Sequence, residues 1–318
     1  MTPTRHAIGD GRLFTRREIL ALAAAAGAAA VLPAAQGRAA EGPVQTRPIA
    51  RTGERLPIVG IGTAIVFDIG DDRQQRAERR AVIQTLIDGG GRLIDTAPSY
   101  GEAEVVVGDL LAAMAARDKV FLATKVRADS DAEKLEQMNA SLARLRTKRV
   151  DLMQLHNVSD PKTQLRTLRE WQHKGFTRYI GITHFRASAN KTIEEVMRWE
   201  KPEFIQVNYS LVERSVEERL LQQAADTGTA VLVNLPFARG RLFRAVRGKP
   251  LPEWAREFDA TSWGQFFLKY LLAHPAVTCV IPGTDKPQYM VDNLGAGRGR
   301  LPDAAMRKKM AAFWESLS

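Results

Sequence analysis

The chain has 318 residues, 45% of them hydrophobic and 26% charged, which excludes a disordered or collagen-like protein and leaves room for one large domain or two small ones. Its single cysteine, Cys279, excludes an intramolecular disulfide framework, a thiolate zinc cluster and a CxxC redox pair. The net charge is +10, yet the basic groups (Arg144, Arg146, Lys148 and Arg149; Arg307, Lys308 and Lys309) lack interleaved aromatics or a nucleic-acid motif, so they read as solvated faces and no nucleic-acid partner is expected.

Residues 1 to 39 differ from the rest. A basic start leads to Thr15-Arg16-Arg17-Glu18, an apolar run of fourteen residues from Ile19 to Leu32, and small residues around Ala39. Fourteen apolar residues fall short of the roughly 20 that span a bilayer and match the h-region of a secretory signal. The paired arginines resemble a twin-arginine export signal, which implies the twin-arginine machinery as a partner and a periplasmic or exported destination. Cleavage is expected after Ala39. The segment carries five basic and two acidic residues, so its loss lowers the net charge from +10 to +7. The mature chain, residues 40 to 318, then keeps no membrane span.

From Leu56 onward β-rich runs alternate with helical patterns. The runs are Ile58 to Ile61, Leu93 to Ile94, Val120 to Ala123, Val150 to Leu155, Tyr179 to Ile182, Phe204 to Val207, Ala230 to Val233 and Val277 to Ile281. Between them lie apolar residues at helical spacing, such as Val82 and Leu86, or Leu135, Met138, Leu142 and Leu145. Eight βα units without a long linker predict an α/β fold, a (β/α)8 TIM barrel. A β-hairpin around Thr52-Gly53-Glu54 precedes it, and a terminal helix follows. Gly60-Ile61-Gly62 does not complete a dinucleotide fingerprint, because position 65 is isoleucine.

Barrel active sites are built at the carboxyl ends of strands. Asp95, Lys125 and His156 end the second, third and fourth runs, and Tyr100 follows five residues after Asp95. A lysine ammonium beside a tyrosine favours the phenolate, and an aspartate keeps the lysine charged and oriented. Such a tyrosine exchanges a proton with a carbonyl or alcohol oxygen. His173 and His274 lie on helical stretches, and without an HxxxH or HxxE pair no metal site is expected.

These residues carry a resemblance. Leu93-Ile94-Asp95-Thr96-Ala97-Pro98-Ser99-Tyr100-Gly101, Thr124-Lys125-Val126 and Leu152-Met153-Gln154-Leu155-His156 are similar to the strand-end motifs of the aldo-keto reductases, and the likeness runs from about Arg47 to Leu301. It implies reduction of an aldehyde or ketone by hydride from a nicotinamide cofactor. Tyr100 is then the general acid, Lys125 and Asp95 tune it, and His156 orients the small-molecule carbonyl substrate. The resemblance also implies that Gln206 holds the nicotinamide amide, that Tyr209 stacks on its ring and that Asn293 contacts adenine.

In Gly181-Ile182-Thr183-His184-Phe185 the family usually has serine then asparagine, so Thr183 keeps the hydroxyl and His184 departs from the pattern. Gly283, Thr284 and Lys286 lead into the last barrel helix and are expected at the adenosine phosphate end, where helix-start amides suit an anion. Asp285 would repel a 2′-phosphate, so NADP(H) is expected from the family's preference and NAD(H) stays open. Two rival readings are a cofactor-binding redox sensor or partner subunit on the same fold, and a Schiff-base enzyme using Lys125. The second conflicts with a lysine held charged by aspartate.

Overall fold

In the computed structural model the chain divides into two units, Met1–Arg38 and Ala39–Ser318. The described residues are 6–7, 13–14, 42–160, 162–163 and 165–317. In the first unit β1 (His6–Ala7) pairs antiparallel with β2 (Leu13–Phe14). The expected export signal, with Arg16, Arg17 and the run Ile19 to Leu32, and the expected cleavage point at Ala39 lie outside the described residues.

The second unit opens with the antiparallel hairpin β3 (Thr46–Pro48) and β4 (Arg55–Pro57). Eight parallel strands follow: β5 (Ile61–Gly62), β6 (Leu93–Asp95), β7 (Phe121–Val126), β8 (Val150–His156), β9 (Thr177–His184), β10 (Phe204–Asn208), β11 (Ala230–Asn234) and β12 (Val277–Val280). Each pairs with the next, and the bridges Val59↔Val280 and Gly62↔Gly283 join last to first. The sheet is therefore a barrel, as the eight runs predict.

The crossovers are α1 (Arg73–Asp88), α2 (Ala103–Ala113), α3 (Asp131–Arg144), α4 (Arg166–His173), α5 (Asn190–Glu200), α6 (Leu220–Thr227) and, after the short α7 (Arg241–Ala245), α8 (Trp263–Leu272). Then come α9 (Pro287–Ala296) and the terminal α10 (Ala304–Glu315). Their starts are written locally. Ser130 and Glu133 form a reciprocal capping box on α3, and Asp72 caps α1 by accepting from the Gln75 amide. The inward stripes are Val82, Ile83 and Leu86 on α1 and Met138 and Leu142 on α3.

Inside the barrel, Leu93, Phe121, Leu152, Phe204, Leu232 and Cys279 pack with Ile49 and Leu56 of the hairpin segment. The hairpin thus plugs the amino-terminal end. Arg47 there bonds the carbonyls of Leu272, His274 and Val277, and Tyr179 near the start of β9 bonds Thr52 and Glu54. With this end sealed, the carboxyl ends of the strands face open space. Several strands run one to three residues past the apolar runs that predict them, into Thr124-Lys125-Val126, His156 and Thr183-His184. Polar mouth residues interrupt an apolar run but still pair through their backbones. Among the described residues no helix is long and apolar enough to cross a membrane.

Candidate active site

Register brings the strand ends to one level. Asp95 pairs with Gly62 and Ala123, Lys125 with Gln154, and His156 with Thr183. The Lys125 ammonium, fully buried, donates to Asp95 Oδ2 at 2.6 Å and to the Thr96 carbonyl at 2.8 Å. Burial alone penalises that charge, but Asp95 and Tyr100 outweigh it, and the lysine pKa is raised above its usual value. Asp95 Oδ1 accepts from Gln206 Nε2 at 2.7 Å and from Gln154 Nε2 at 3.2 Å. The carboxylate is thus held by three side chains and cannot rotate away from the lysine.

Tyr100 covers this pair, its ring centroid 4.9 Å from Lys125 Nζ. Its loop is locked on the far side. Gly101 follows with φ of 57°, and a Cβ there would fall 2.2 Å from Asp68 Oδ1, which accepts from the Glu102 amide. The His156 ring stands edge-on to Tyr100 at 6.0 Å between centroids. Desolvation, then Lys125, Arg127 and His184, push the His156 pKa down to about 3. At neutral pH it is an uncharged imidazole with one N–H to donate.

These groups open into a cavity of about 590 Å³ walled by Asp95, Tyr100, His156, Thr183, Gln206 and Gly283 among others. Thr183 lines the cavity, and its Oγ1 donates to the Gln206 carbonyl at 2.8 Å. The other residues expected to bind cofactor are placed unevenly. His184 is not part of the cavity wall; its Nδ1 accepts from the Arg186 amide and its ring stacks on Phe185. Thr284 and Asn293 are buried and bond each other at 2.9 Å, while Lys286 is exposed as the residue preceding α9.

Tyr209 requires a correction. It is 0% exposed and lies outside the cavity wall, its hydroxyl bonded to Glu217 and, at 2.7 Å, to Arg307. Desolvation raises its pKa. The aromatic patterning is right but the ring serves packing, because the chain turns after Asn208 and directs the side chain toward α8 and α10. The end of the seventh barrel strand presents Asn234 to the cavity instead.

Sequence reasoning missed five contributors, Asn234 among them. Gln154 sits inside a motif and alternates inward with Asp95. Asn157 and Asn234 line the cavity, each with a buried Oδ1 that has no protein partner. Ile65, 81% exposed at the cavity lip, has φ of 70° at the centre of a γ-turn closed by Val66 N to Ala64 O at 2.8 Å, a strained conformation for a β-branched residue. Arg79, 5% exposed, holds this turn by bridging the Val66 and Asp285 carbonyls. Only the breach of a local rule marks such residues in a sequence, and a lone isoleucine or arginine breaches none.

The Aldo/keto reductase family model matches residues 59–312. The chain belongs to this family. It is 32% identical over 230 residues to the aldo-keto reductase YhdN of Bacillus subtilis, covering 66% of each chain. It is 28% identical over 240 residues to the NADH-specific methylglyoxal reductase of Escherichia coli, covering 66% of this chain and 72% of that one. A crystal structure of an aldo/keto reductase from Klebsiella pneumoniae in complex with NADP and acetate superposes with a TM-score of 0.67 at 25% identity, over 81% of this chain and 93% of that one. This aldo/keto reductase is therefore an oxidoreductase, and the family reaction is NAD(P)H-dependent carbonyl reduction. The cavity fits the cofactor's carboxamide: Gln206 and Thr183 stand at its floor, and the orphaned acceptors of Asn157 and Asn234 match amide N–H donors.

Proposed function

We propose that Tyr100 is the proton donor in the reduction of an aldehyde or ketone, with Lys125, Asp95 and His156 in supporting roles. A reduced nicotinamide, when bound, supplies hydride to the carbonyl carbon. The protein's residues manage the oxygen. The neutral His156 N–H holds the carbonyl oxygen against the Tyr100 hydroxyl, which gives it a proton as negative charge develops there. The phenolate left behind is stabilised by the Lys125 ammonium until water returns the proton. Asp95, clamped by Gln154 and Gln206, fixes the ammonium in place. The observation that carries this reading is the sealed Lys125–Asp95 pair at 2.6 Å lying directly under the Tyr100 ring. The raised lysine pKa argues against a Schiff-base role, which requires a neutral amine.

Replacement of Tyr100 by phenylalanine keeps the ring and removes the proton. Turnover should fall about 100-fold or more, while the dissociation constant for NADPH, read by fluorescence, stays within twofold. Turnover within tenfold of wild type would remove the assignment. NADP(H) is assigned ahead of NAD(H) on the Klebsiella complex and on the exposed Lys286 beside the α9 start, although the Escherichia coli relative is NADH-specific.

The export reading rests on Arg16 and Arg17 ahead of the apolar run Ile19 to Leu32. A twin-arginine route carries a folded protein with its cofactor already bound, which fits a reductase working in the periplasm. Arg16→Lys together with Arg17→Lys should leave the chain in the cytoplasmic fraction. Undiminished periplasmic recovery of that variant would contradict the route.

A further inference from the structure

Asp95, Lys125 and His156 stand on strands and are fixed by the pairing of the barrel sheet. Tyr100 is not: it lies on the connection between β6 and α2, half-buried and outside any regular element. A group that must meet one oxygen cannot be left to a free loop, because a misplacement of about 1 Å costs about 100-fold in rate. The structure therefore has to hold Tyr100 by other means.

The loop between β5 and α1 holds the Tyr100 segment at both ends. At the near end the Thr63 amide donates to the Asp95 carbonyl at 2.9 Å. At the far end Asp68 Oδ1 accepts from the Glu102 amide at 2.9 Å. Between these points the Tyr100 amide donates to the Ala97 carbonyl at 3.1 Å, and the Tyr100 carbonyl accepts from the Ala103 amide at 3.2 Å, so Tyr100 moves with the start of α2. The loop is itself anchored, by the buried Phe67 ring and by Arg79 on the Val66 and Asp285 carbonyls.

Asp68 does this from outside the cavity wall, as an exposed carboxylate whose bulk fills no core. Helices α1, α3, α8 and α10 take a capping acceptor from the residue just ahead of them, whereas Glu102, just ahead of α2, gives no such side-chain bond. The acceptor comes instead from Asp68, and a carboxylate is favoured at the positive end of a helix. Gly101 makes room: the three atoms that a Cβ there would meet first are Asp68 Oδ1, Cγ and Oδ2, at 2.2 to 2.4 Å.

We propose that Asp68 is a positioning residue for the proton donor, holding Tyr100 against the Lys125 ammonium by accepting the Glu102 amide. The proposal rests on the reductase reading of the Tyr100 site and adds the residue that keeps its donor in place.

The test is a double-substitution cycle on the full chain, read as the single-turnover rate of NADPH oxidation by pentanal. Asp68→Ala should slow the reaction about 30-fold at saturating pentanal while NADPH affinity and the KM for pentanal stay within about twofold, which also establishes that the variant is folded. Asp68→Asn keeps an acceptor of the same shape and should return the rate to within about threefold of wild type. In a Tyr100→Phe background, already about 100-fold slow, Asp68→Ala should cost less than about threefold more, because no hydroxyl is left to misplace. Equal losses in both backgrounds, weakened NADPH or pentanal binding in Asp68→Ala, or an Asp68→Asn variant as slow as Asp68→Ala would reduce Asp68 to a support of the fold and overturn the proposal. An Asp68→Ala rate close to wild type would overturn it too, and in each of these cases a slow Tyr100→Phe leaves the reductase reading standing. Absence of pentanal reduction by wild type, or a Tyr100→Phe rate within about tenfold of wild type, would overturn the reductase reading and the proposal with it.

Discussion

His156 does its work uncharged, and the fold bears the cost of keeping it so. Its pKa is about 3 in the folded protein against about 6.5 in an unfolded chain. Above pH 6.5 neither state binds the proton. Below it the unfolded chain takes up a proton that the folded protein refuses, so stability falls as pH drops through 6.5 toward 3. His184 and His274 are lowered as well, both mainly by burial, and act in the same direction. Urea unfolding should lose about 1 kcal/mol for His156 between pH 6.5 and 5.5, and His156→Asn should flatten that slope. A slope unchanged by the substitution would mean that His156 is protonated in the fold.

At this scale the sequence was readable where chemistry is concentrated in one motif, as with Asp95 and Tyr100. It was silent where a role depends on the direction of a side chain. Tyr209 and Asn234 both stand near barrel strand ends, and only the turn after each strand decides which one meets the cavity.

The eight strands were legible as apolar runs because a strand buried on both faces has few polar interruptions. Their outer ends were not, since Lys125, His156 and Thr183 break the run while keeping the backbone ladder. The terminal helix was legible as an element, but its anchor was not. Arg307 on α10 bonds Glu217 at 2.8 Å and the Tyr209 hydroxyl at 2.7 Å, and Tyr270 of α8 bonds the same Glu217 oxygen at 2.9 Å. Read from sequence, Arg307 joins Lys308 and Lys309 in a solvated run; in the fold its side chain is only 15% exposed. Arg307→Met leaves Glu217 without its cation in a partly buried site and should cost about 2 kcal/mol, short of the full penalty for a buried pair because Glu217 keeps some solvent. Adding Glu217→Gln should recover part of that loss. Thermal melts of the single and double variants measure it, and a melt unchanged by Arg307→Met would show that α10 is held by apolar contacts alone.

Across the molecule, one end of the barrel is spent on stability and the other on chemistry. The hairpin, with Arg47 on three carbonyls and Ile49 and Leu56 among the interior residues, closes the amino-terminal end. The groups that conflict with simple packing gather at the other end: a buried ammonium, a neutral histidine, orphaned asparagine oxygens and the strained Ile65. A sequence read from its apolar periodicity recovers the first end and the barrel itself, and family motifs recover most of the second. The direct test of the account is hydrogen transfer. With NADPH deuterated at the transferring position of C4, a single turnover on a simple aldehyde such as pentanal should place deuterium on the former carbonyl carbon, and Tyr100→Phe should bind the cofactor while slowing that transfer about 100-fold. Deuterium absent from the product, or transferred at the wild-type rate without the Tyr100 hydroxyl, would contradict it.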